Sequence, residues 1–304
     1  MKVSVIIPVF NAASYVHDAV SSVLAQPEVA EVILINDDSS DGSSAIAQEM
    51  QEKEERVRLF QNYSKVHGAG AARNIGIQQA GCEWIAFLDS DDFYLPGRFL
   101  YDAETIRLHQ HCNAIYRGVV IRTTDMDAEN ILHGNYRSGY ILRSGNPGEE
   151  VTLRDFLKGG GLHLNGLTMR RDAILRSGAF DESLIQGQDT DLIFRFLLKN
   201  KIYNTPGQEP GAVYRVHGSN TIRKTSEGIF YRRKAACKHL KLSVAHLLSP
   251  SVISKILRKY IEYDYLLLTG NKLNKYKALF KSLLLPILLF RCFIRIDTPA
   301  YTDR

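Results

Sequence analysis

Up to Asp92 the chain alternates short, almost wholly apolar runs with longer stretches of helical period, and this alternation restricts the fold more than any other feature. "KVSVIIPVF" is rich in β-branched residues and nearly continuous in apolar ones, as a strand covered on both faces of a parallel sheet requires. "SYVHDAVSSVLAQ" follows, with Tyr15, Val16, Ala19, Val20, Val23 and Leu24 on one helical face, Ser14 as the expected N-cap and Pro27 beyond the end. "EVILIND" reads as a second strand, "DSSDG" as a turn, "SSAIAQEMQEKEERV" as a polar helix and "RLFQN" as a third strand. "GAGAARNIGIQQA" carries a glycine-rich loop into a helix, and "CEWIAFLDSDD" is a fourth strand whose end is crowded with acids. Parallel strands need long crossovers, so this order predicts an α/β fold: a Rossmann-like mixed, mainly parallel sheet flanked by helices. In such sheets ligands bind at the carboxyl ends of the strands, where Asp37, Asp38, Asp89 and Asp91 all fall.

At 304 residues and 45% hydrophobic content the chain is long enough for one large domain with an appendage. Beyond the fourth strand a helix is expected near residues 97 to 110, then a strand in "NAIYRGVVIRTT", a polar excursion from "DMDAEN" to "GNPGE", and an amphipathic helix in "DTDLIFRFLLKN". "TPGQEPG" is a linker-like break and "AVYRVHGSN" a last strand into a loop. We expect residues 1–225 to form one domain and 226–304 a basic amphipathic helical region. Cys82, Cys112, Cys237 and Cys292 lack metal or disulfide spacing, which fits a reducing cytoplasm. "MKVSVIIPVF" is too short and too strand-like for a signal peptide, so the mature structure is expected to start at about residue 2.

The triplet Asp89-Ser90-Asp91, with Asp92 behind it, demands a positive partner, because like charges this close repel and burying them is costly. Asp and Ser are favoured at caps and turns, which is one reading. The other is a D-x-D metal site, since two carboxylates two positions apart at a strand end can share a crevice with Mg²⁺ or Mn²⁺.

Five stretches occur in order: "VSVIIPVFNA", "INDDSSDGS", "GAGAARNIGIQQAGCEWIAFLDSDD", "GAFDESL" with "GQDTDLIFRFL", and "YRVHGSN". Together they resemble glycosyltransferase family 2 enzymes of the glycosyltransferase A fold, of the kind that build bacterial surface glycans, over roughly the first 220 residues. The resemblance implies that Asp91 is a direct ligand of Mn²⁺ or Mg²⁺, with Asp89 and Ser90 toward the ribose and the metal's water. His217 is implied to close over the diphosphate or join the metal. Asp38 would accept the N3–H of a uracil or thymine ring, Pro8, Phe10 and Asn11 would line the nucleoside, and Arg73 would lie beside the nucleotide. Asp189 is the implied catalytic base, and residues 1–225 are the implied nucleotide-sugar-binding and catalytic domain. The family usually has Glu-Asp there, whereas this chain has Gln188-Asp189. Asp191 reads as a helix-terminal acid paired with Arg195, Asp92 as a helix cap or supporting partner, and His163 and Asn165 stand where an acceptor loop belongs.

Net charge is +5, but from Ile229 onward there are roughly 15 Lys/Arg against 4 Asp/Glu, leaving an acidic body and a basic tail. The run Leu283–Phe290, broken by Pro286, is far short of the ~20 residues that span a bilayer. Its basic and apolar alternation suits either an anionic membrane surface or a helical cap or oligomer contact. A nucleic-acid partner is not expected, since the body is acidic and no recognised module is present. The implied function is inverting, metal-dependent transfer of a sugar from a nucleotide-diphosphate sugar, UDP-linked by the resemblance, to a surface polysaccharide or lipid-linked glycan, with the protein cytoplasmic and peripheral at the inner membrane face. The alternatives are a catalytically inactive nucleotide-sugar binding module at a membrane, or a sugar-phosphate nucleotidyltransferase. The latter would want a glycine-rich basic loop where "PVFNAASY" stands.

Overall fold

The computed structural model describes residues 1–123, 139–158, 162–217 and 226–269. They fall in two units, Met1–Ser183 with Gln188–Arg223, and Leu184–Gly187 with the chain from Lys224 onward. The first unit opens with β1 (Val3–Val9), α1 (Val16–Leu24), β2 (Val29–Asn36), α2 (Ser43–Lys53), β3 (Val57–Gln61), α3 (Ala69–Gln79) and β4 (Trp84–Phe87). It continues with β5 (Phe93–Tyr94), α4 (Asp102–Leu108), β6 (Cys112–Tyr116), β7 (Val119–Thr123), β8 (Ile141–Leu142), β9 (Glu150–Val151) and α5 (Leu153–Leu157). A 3-10 turn at Leu164–Gly166 then leads into β10 (Leu167–Arg170), α6 (Arg171–Arg176), α7 (Gln188–Leu197), β11 (Lys201–Asn204) and β12 (Ala212–Val216).

Eight strands form one sheet in the order β3-β2-β1-β4-β10-β6-β11-β9. β3, β2, β1 and β4 run parallel, β10 is antiparallel to both β4 and β6, and β11 returns parallel to β6. Every residue of β1 is buried, which accounts for its continuous apolar run. Val3, Val5, Ile7 and Val9 join the core that includes Val16, Val20 and Val23 of α1, while Ile6 joins Ala72 and Ile77 of α3 and Leu192, Ile193 and Phe196 of α7. α3 approaches β1 so closely at Gly76 that a Cβ there would overlap Ile6 Cγ2. Four short strands in the order β5-β12-β7-β8 make a second sheet.

Local details differ from expectation. Tyr15, not Ser14, stands at the N-cap of α1, and no side chain caps it. The segment read as one strand in "NAIYRGVVIRTT" splits at Arg117-Gly118 into β6 and β7, which belong to different sheets. β4 stops at Phe87, whose carbonyl accepts Tyr94 Oη at 2.8 Å, and a strand rather than a helix follows Asp92. Residues 124–138, the glycines 159–161, the loop after His217 and the tail from residue 270, including the Leu283–Phe290 run, lie outside the described residues.

In the second unit α8 (Ser226–Ala245) and α9 (Pro250–Thr269) pack together. Arg233 of α8 donates to Asp264 Oδ1 at 2.8 Å and to Tyr260 Oη at 3.2 Å on α9. Among the described residues no helix is long and apolar enough to cross a membrane.

Candidate active site

The carboxyl ends of β1 and β2 carry two loops that are tied to each other. Asn11 N–H donates to Ser39 Oγ at 3.2 Å, Asn11 Oδ1 accepts Ser40 N–H at 2.9 Å, and Ala13 N–H donates to Asp41 Oδ2 at 2.9 Å. Asn11 and Asp38 both adopt left-handed backbone, at φ +49 and +66, a conformation that Asn and Asp tolerate better than most residues. Pro8 is buried within β1, whereas Phe10, Asn11 and Asp38 are exposed, Phe10 to 60%. An aromatic ring and a carboxylate are thus presented to solvent at the carboxyl edge of the sheet. Asp37 faces inward instead, accepting Gly68 N–H and Asn62 Nδ2, each at 2.6 Å, with His67 Nδ1 at 3.1 Å. It fastens the loop before α3, which leaves Asp38 as the exposed acid of the pair.

The acidic turn follows β4. Arg73 of α3 forms an ion pair with Asp89, its guanidinium lying over the Phe180 ring 5.4 Å from the centroid. Burial would raise the pKa of Asp89, but Arg73 and, to a lesser degree, His163 outweigh it and hold this carboxyl below its usual range. Ser90 is partly buried. Asp91 Oδ2 lies 3.0 Å from His217 Nε2 just beyond β12, and the His217 ring stacks on Tyr15 with centroids 4.9 Å apart. Burial first, then the charge of Asp89, push the Asp91 carboxyl upward, with His217 opposing. Asp92 is wholly buried, and burial together with Asp91 and Asp89 pushes it well above the ordinary carboxylate range. It caps no helix: Oδ1 accepts Arg215 N–H at 2.7 Å and Oδ2 accepts Asn165 Nδ2 at 2.6 Å.

Asp189 stands in the first turn of α7, partly exposed, directly after the buried Gln188. Gln188 packs on the glycine-rich start of α3, where a Cβ on Gly70 would come within 2.6 Å of Gln188 Oε1. Asp191 points into the core and accepts Arg195 Nε at 2.8 Å, the expected pair one turn apart. The buried phenol of Tyr214 ties the regions together: burial first, then the carboxylates of Asp92, Asp91, Asp89 and Asp189, push its pKa upward. The His163 ring lies 4.7 Å from that of Tyr214.

This donor set suits a divalent cation. Single ligand atoms of Asp89, Asp92 and His163 lie within 4.8 Å of one another, and the Asp91–His217 pair stands beside them. Both oxygens of Asp92 are already engaged at zero exposure, so Asp89, Asp91, His163 and His217 are the groups of this cluster that could hold a hard divalent cation.

Sequence reasoning missed Arg215 and Tyr214, set Asp37 at the rim without its loop-fastening contacts, and put Asn165 in an acceptor loop without its contacts to the acidic turn. Arg215 sits between the Tyr15 and Phe93 rings, 5.0 Å from each centroid, and donates from Nε to Asp91 O at 2.5 Å. Its place two residues before His217 in "YRVHGSN" was the available signal.

An uncharacterized glycosyltransferase of Rickettsia typhi is 31% identical over 205 residues, covering 66% of this chain and 60% of that protein, so the chain matches about three-fifths of that relative's length. The GalNAc(5)-diNAcBac-PP-undecaprenol beta-1,3-glucosyltransferase of Campylobacter jejuni is 35% identical over 97 residues, 32% of this chain and 31% of its own. Among solved structures, S. aureus TarS 1-349 in complex with UDP-GlcNAc superposes with a TM-score of 0.64 at 20% identity, covering 87% of this chain and 73% of that one. The mannosyltransferase PcManGT of Pyrobaculum calidifontis, in complex with GDP-Man and Mn²⁺, has a TM-score of 0.56 at 16% identity, covering 95% and 80%. These two share the glycosyltransferase A fold with the present chain. The model of the family described as "Glycosyl transferase family 2" matches residues 4–174, more than half of the sequence, and the chain belongs to that family.

Proposed function

We propose that the chain is a metal-dependent, inverting glycosyltransferase that moves a sugar from a UDP-linked donor to a hydroxyl of a surface polysaccharide or lipid-linked glycan. The observation that carries this reading is the acidic turn after β4, where Arg73 pairs with Asp89 and His217 with Asp91, in a chain of glycosyltransferase family 2. Asp38 accepts the ring N–H of uracil, with Phe10 and Asn11 beside the base. Arg73 balances Asp89 at the donor. A divalent cation held by Asp89, Asp91 and His217 would supply several kcal/mol of charge stabilisation to the departing diphosphate. Asp189 accepts the proton of the acceptor hydroxyl while that oxygen forms the new glycosidic bond at the anomeric carbon and the bond to the nucleotide breaks on the opposite face. The basic helices beyond residue 225 face anionic lipid at the inner membrane surface, which suits an acceptor such as the polyprenyl diphosphate in the Campylobacter relative's name. Oligomerisation through those helices is compatible with the same reading.

The test is thermal stabilisation and donor turnover with UDP-, GDP- and dTDP-sugars, with Mn²⁺ or with chelator. UDP-sugars with Mn²⁺ should stabilise and turn over. Asp91→Ala should abolish transfer and weaken nucleotide binding. Asp189→Asn should lower the rate by about 10² to 10⁴ with nucleotide binding intact. Full turnover in excess chelator, or stabilisation by GDP-sugars alone, overturns the reading.

A further inference from the structure

We infer that Asn165 is a positioning residue that staples the acidic turn, and that its pairing with Asp92 sets how well Asp89 and Asp91 can hold a cation. Asn165 is fully buried in the 3-10 turn before β10, remote in sequence from the turn it touches. Its Oδ1 accepts Asp89 N–H at 3.2 Å, and its Nδ2 donates to Asp92 Oδ2 at 2.6 Å. Asp92 N–H in turn donates to Asp89 O at 3.0 Å, so one carboxamide spans the two ends of the turn that projects Asp91. The amide has a single orientation that satisfies both contacts, because flipping it would set donor against donor and acceptor against acceptor. The other Asp92 oxygen is held by Arg215 N–H at 2.7 Å, and the carbonyl of Asn165 accepts Arg98 Nε at 3.2 Å. Asp92 is thereby fixed from the 3-10 turn and from β12, while His217, two residues after Arg215, meets Asp91. With both of its oxygens engaged, Asp92 serves as the anchor of the turn, which leaves Asp89 and Asp91 as the acids that face the crevice.

The polarity of this pair can be inverted without changing its shape. Asn165→Asp alone sets two acids face to face with no amide donor between them, and Asp92→Asn alone cannot accept from both Asn165 Nδ2 and Arg215 N–H, because one end of its amide is a donor. With both substitutions together, the amide now at position 92 donates to the carboxylate now at 165. The remaining oxygens can still accept Arg215 N–H and Asp89 N–H.

The biological meaning of the turn rests on the function proposed above, so the test has one arm that does not. In the first arm, hydrogen exchange of the Asp89 and Asp92 amides is measured on purified full-length protein, with the β1 amides as reference for global opening. Each single variant should speed exchange at the turn by tenfold or more relative to β1, and the double variant should restore it. In the second arm, Mn²⁺ binding is followed by electron paramagnetic resonance in the presence of UDP. Each single variant should weaken Mn²⁺ about 10- to 100-fold, the usual effect of losing a group that orients a metal ligand, with recovery in the double variant to within about threefold of the native chain. Unchanged exchange in the single variants, or no recovery in the double variant in either arm, overturns the staple. A native chain that binds neither Mn²⁺ nor UDP overturns the proposed function, while the exchange arm still decides the role of Asn165.

Discussion

Replacing Gly70 by Ala tests whether the contact between α3 and α7 positions Asp189. Gly70 lies in the first turn of α3, and Ala is the better helix former by about 1 kcal/mol, so propensity alone predicts a more stable protein. The added Cβ would lie 2.6 Å from Gln188 Oε1 and 2.8 Å from its Cδ, against at least 3.4 Å for ordinary contact. Gln188 must therefore retreat by about 0.8 Å. Only a side-chain end has to move, so the propensity gain and the displacement should nearly cancel, leaving Tm within about 4 °C of the native chain. Activity should respond more strongly, because Gln188 is the residue before the proposed base and a misplacement near 1 Å can cost about 10²-fold. We expect kcat of sugar transfer to fall between about 10- and 100-fold, with the Kd for UDP and Mn²⁺ unchanged. Gln188→Ala in the same chain, by removing the obstructed amide, should recover most of the loss. Steady-state transfer assays and UDP titration calorimetry read both quantities. A Gly70→Ala enzyme with native kcat, or one whose loss lies wholly in UDP affinity, refutes the argument that this contact places the base.

Three stability predictions come from the same packing. Gly76→Ala should lower the midpoint of urea unfolding, since the new methyl overlaps Ile6 in the core and overpacking of about 1–3 kcal/mol exceeds the propensity gain of about 1 kcal/mol; a raised midpoint would sink this. Arg195→Ala should cost about 3–5 kcal/mol in the same assay, because it leaves the wholly buried Asp191 without its ionic partner and frees the carbonyls of Ser177 and Ala179. Burial would raise Glu31, but hydrogen bonds from Ser4, the Gly81 amide and Arg58 outweigh it and lower its pKa below 4.5. Its stabilising contribution is therefore complete above pH 4.5 and lost as pH falls through the depressed folded value, so Glu31→Gln should flatten the acid limb of the stability–pH curve and leave its alkaline limb unchanged.

The parallel half of the sheet was legible because its physics is local. A strand buried on both faces has to be apolar at every position, as β1 is, and a crossover helix has to show an apolar stripe, as α1 and α7 do. The acidic turn was legible for a related reason, since Asp89, Asp91 and Asp92 in one short stretch are unstable unless something positive is supplied. Less visible was where one element stops and a different sheet begins. "NAIYRGVVIRTT" reads as one strand because periodicity is the same on either side of Gly118, and only the partners of β6 and β7 separate them. Ser14 has the chemistry of a cap, yet the chain reaches α1 through a turn that leaves its hydroxyl without that role.

By itself, the sequence determined the class of fold and the types of side chain placed at the carboxyl rim of the sheet. These follow from composition, period and charge within windows of about ten residues. Tertiary structure alone decided which member of each acidic pair is tied up inside the protein. Asp37 is consumed by Gly68, Asn62 and His67, and Asp92 by Asn165 and Arg215, whereas Asp38 is exposed and Asp91, paired with His217, is only partly buried. Adjacent carboxylates are chemically identical in a linear chain; what distinguishes them is the set of hydrogen-bond donors that folding delivers from distant segments, and no local pattern encodes that delivery.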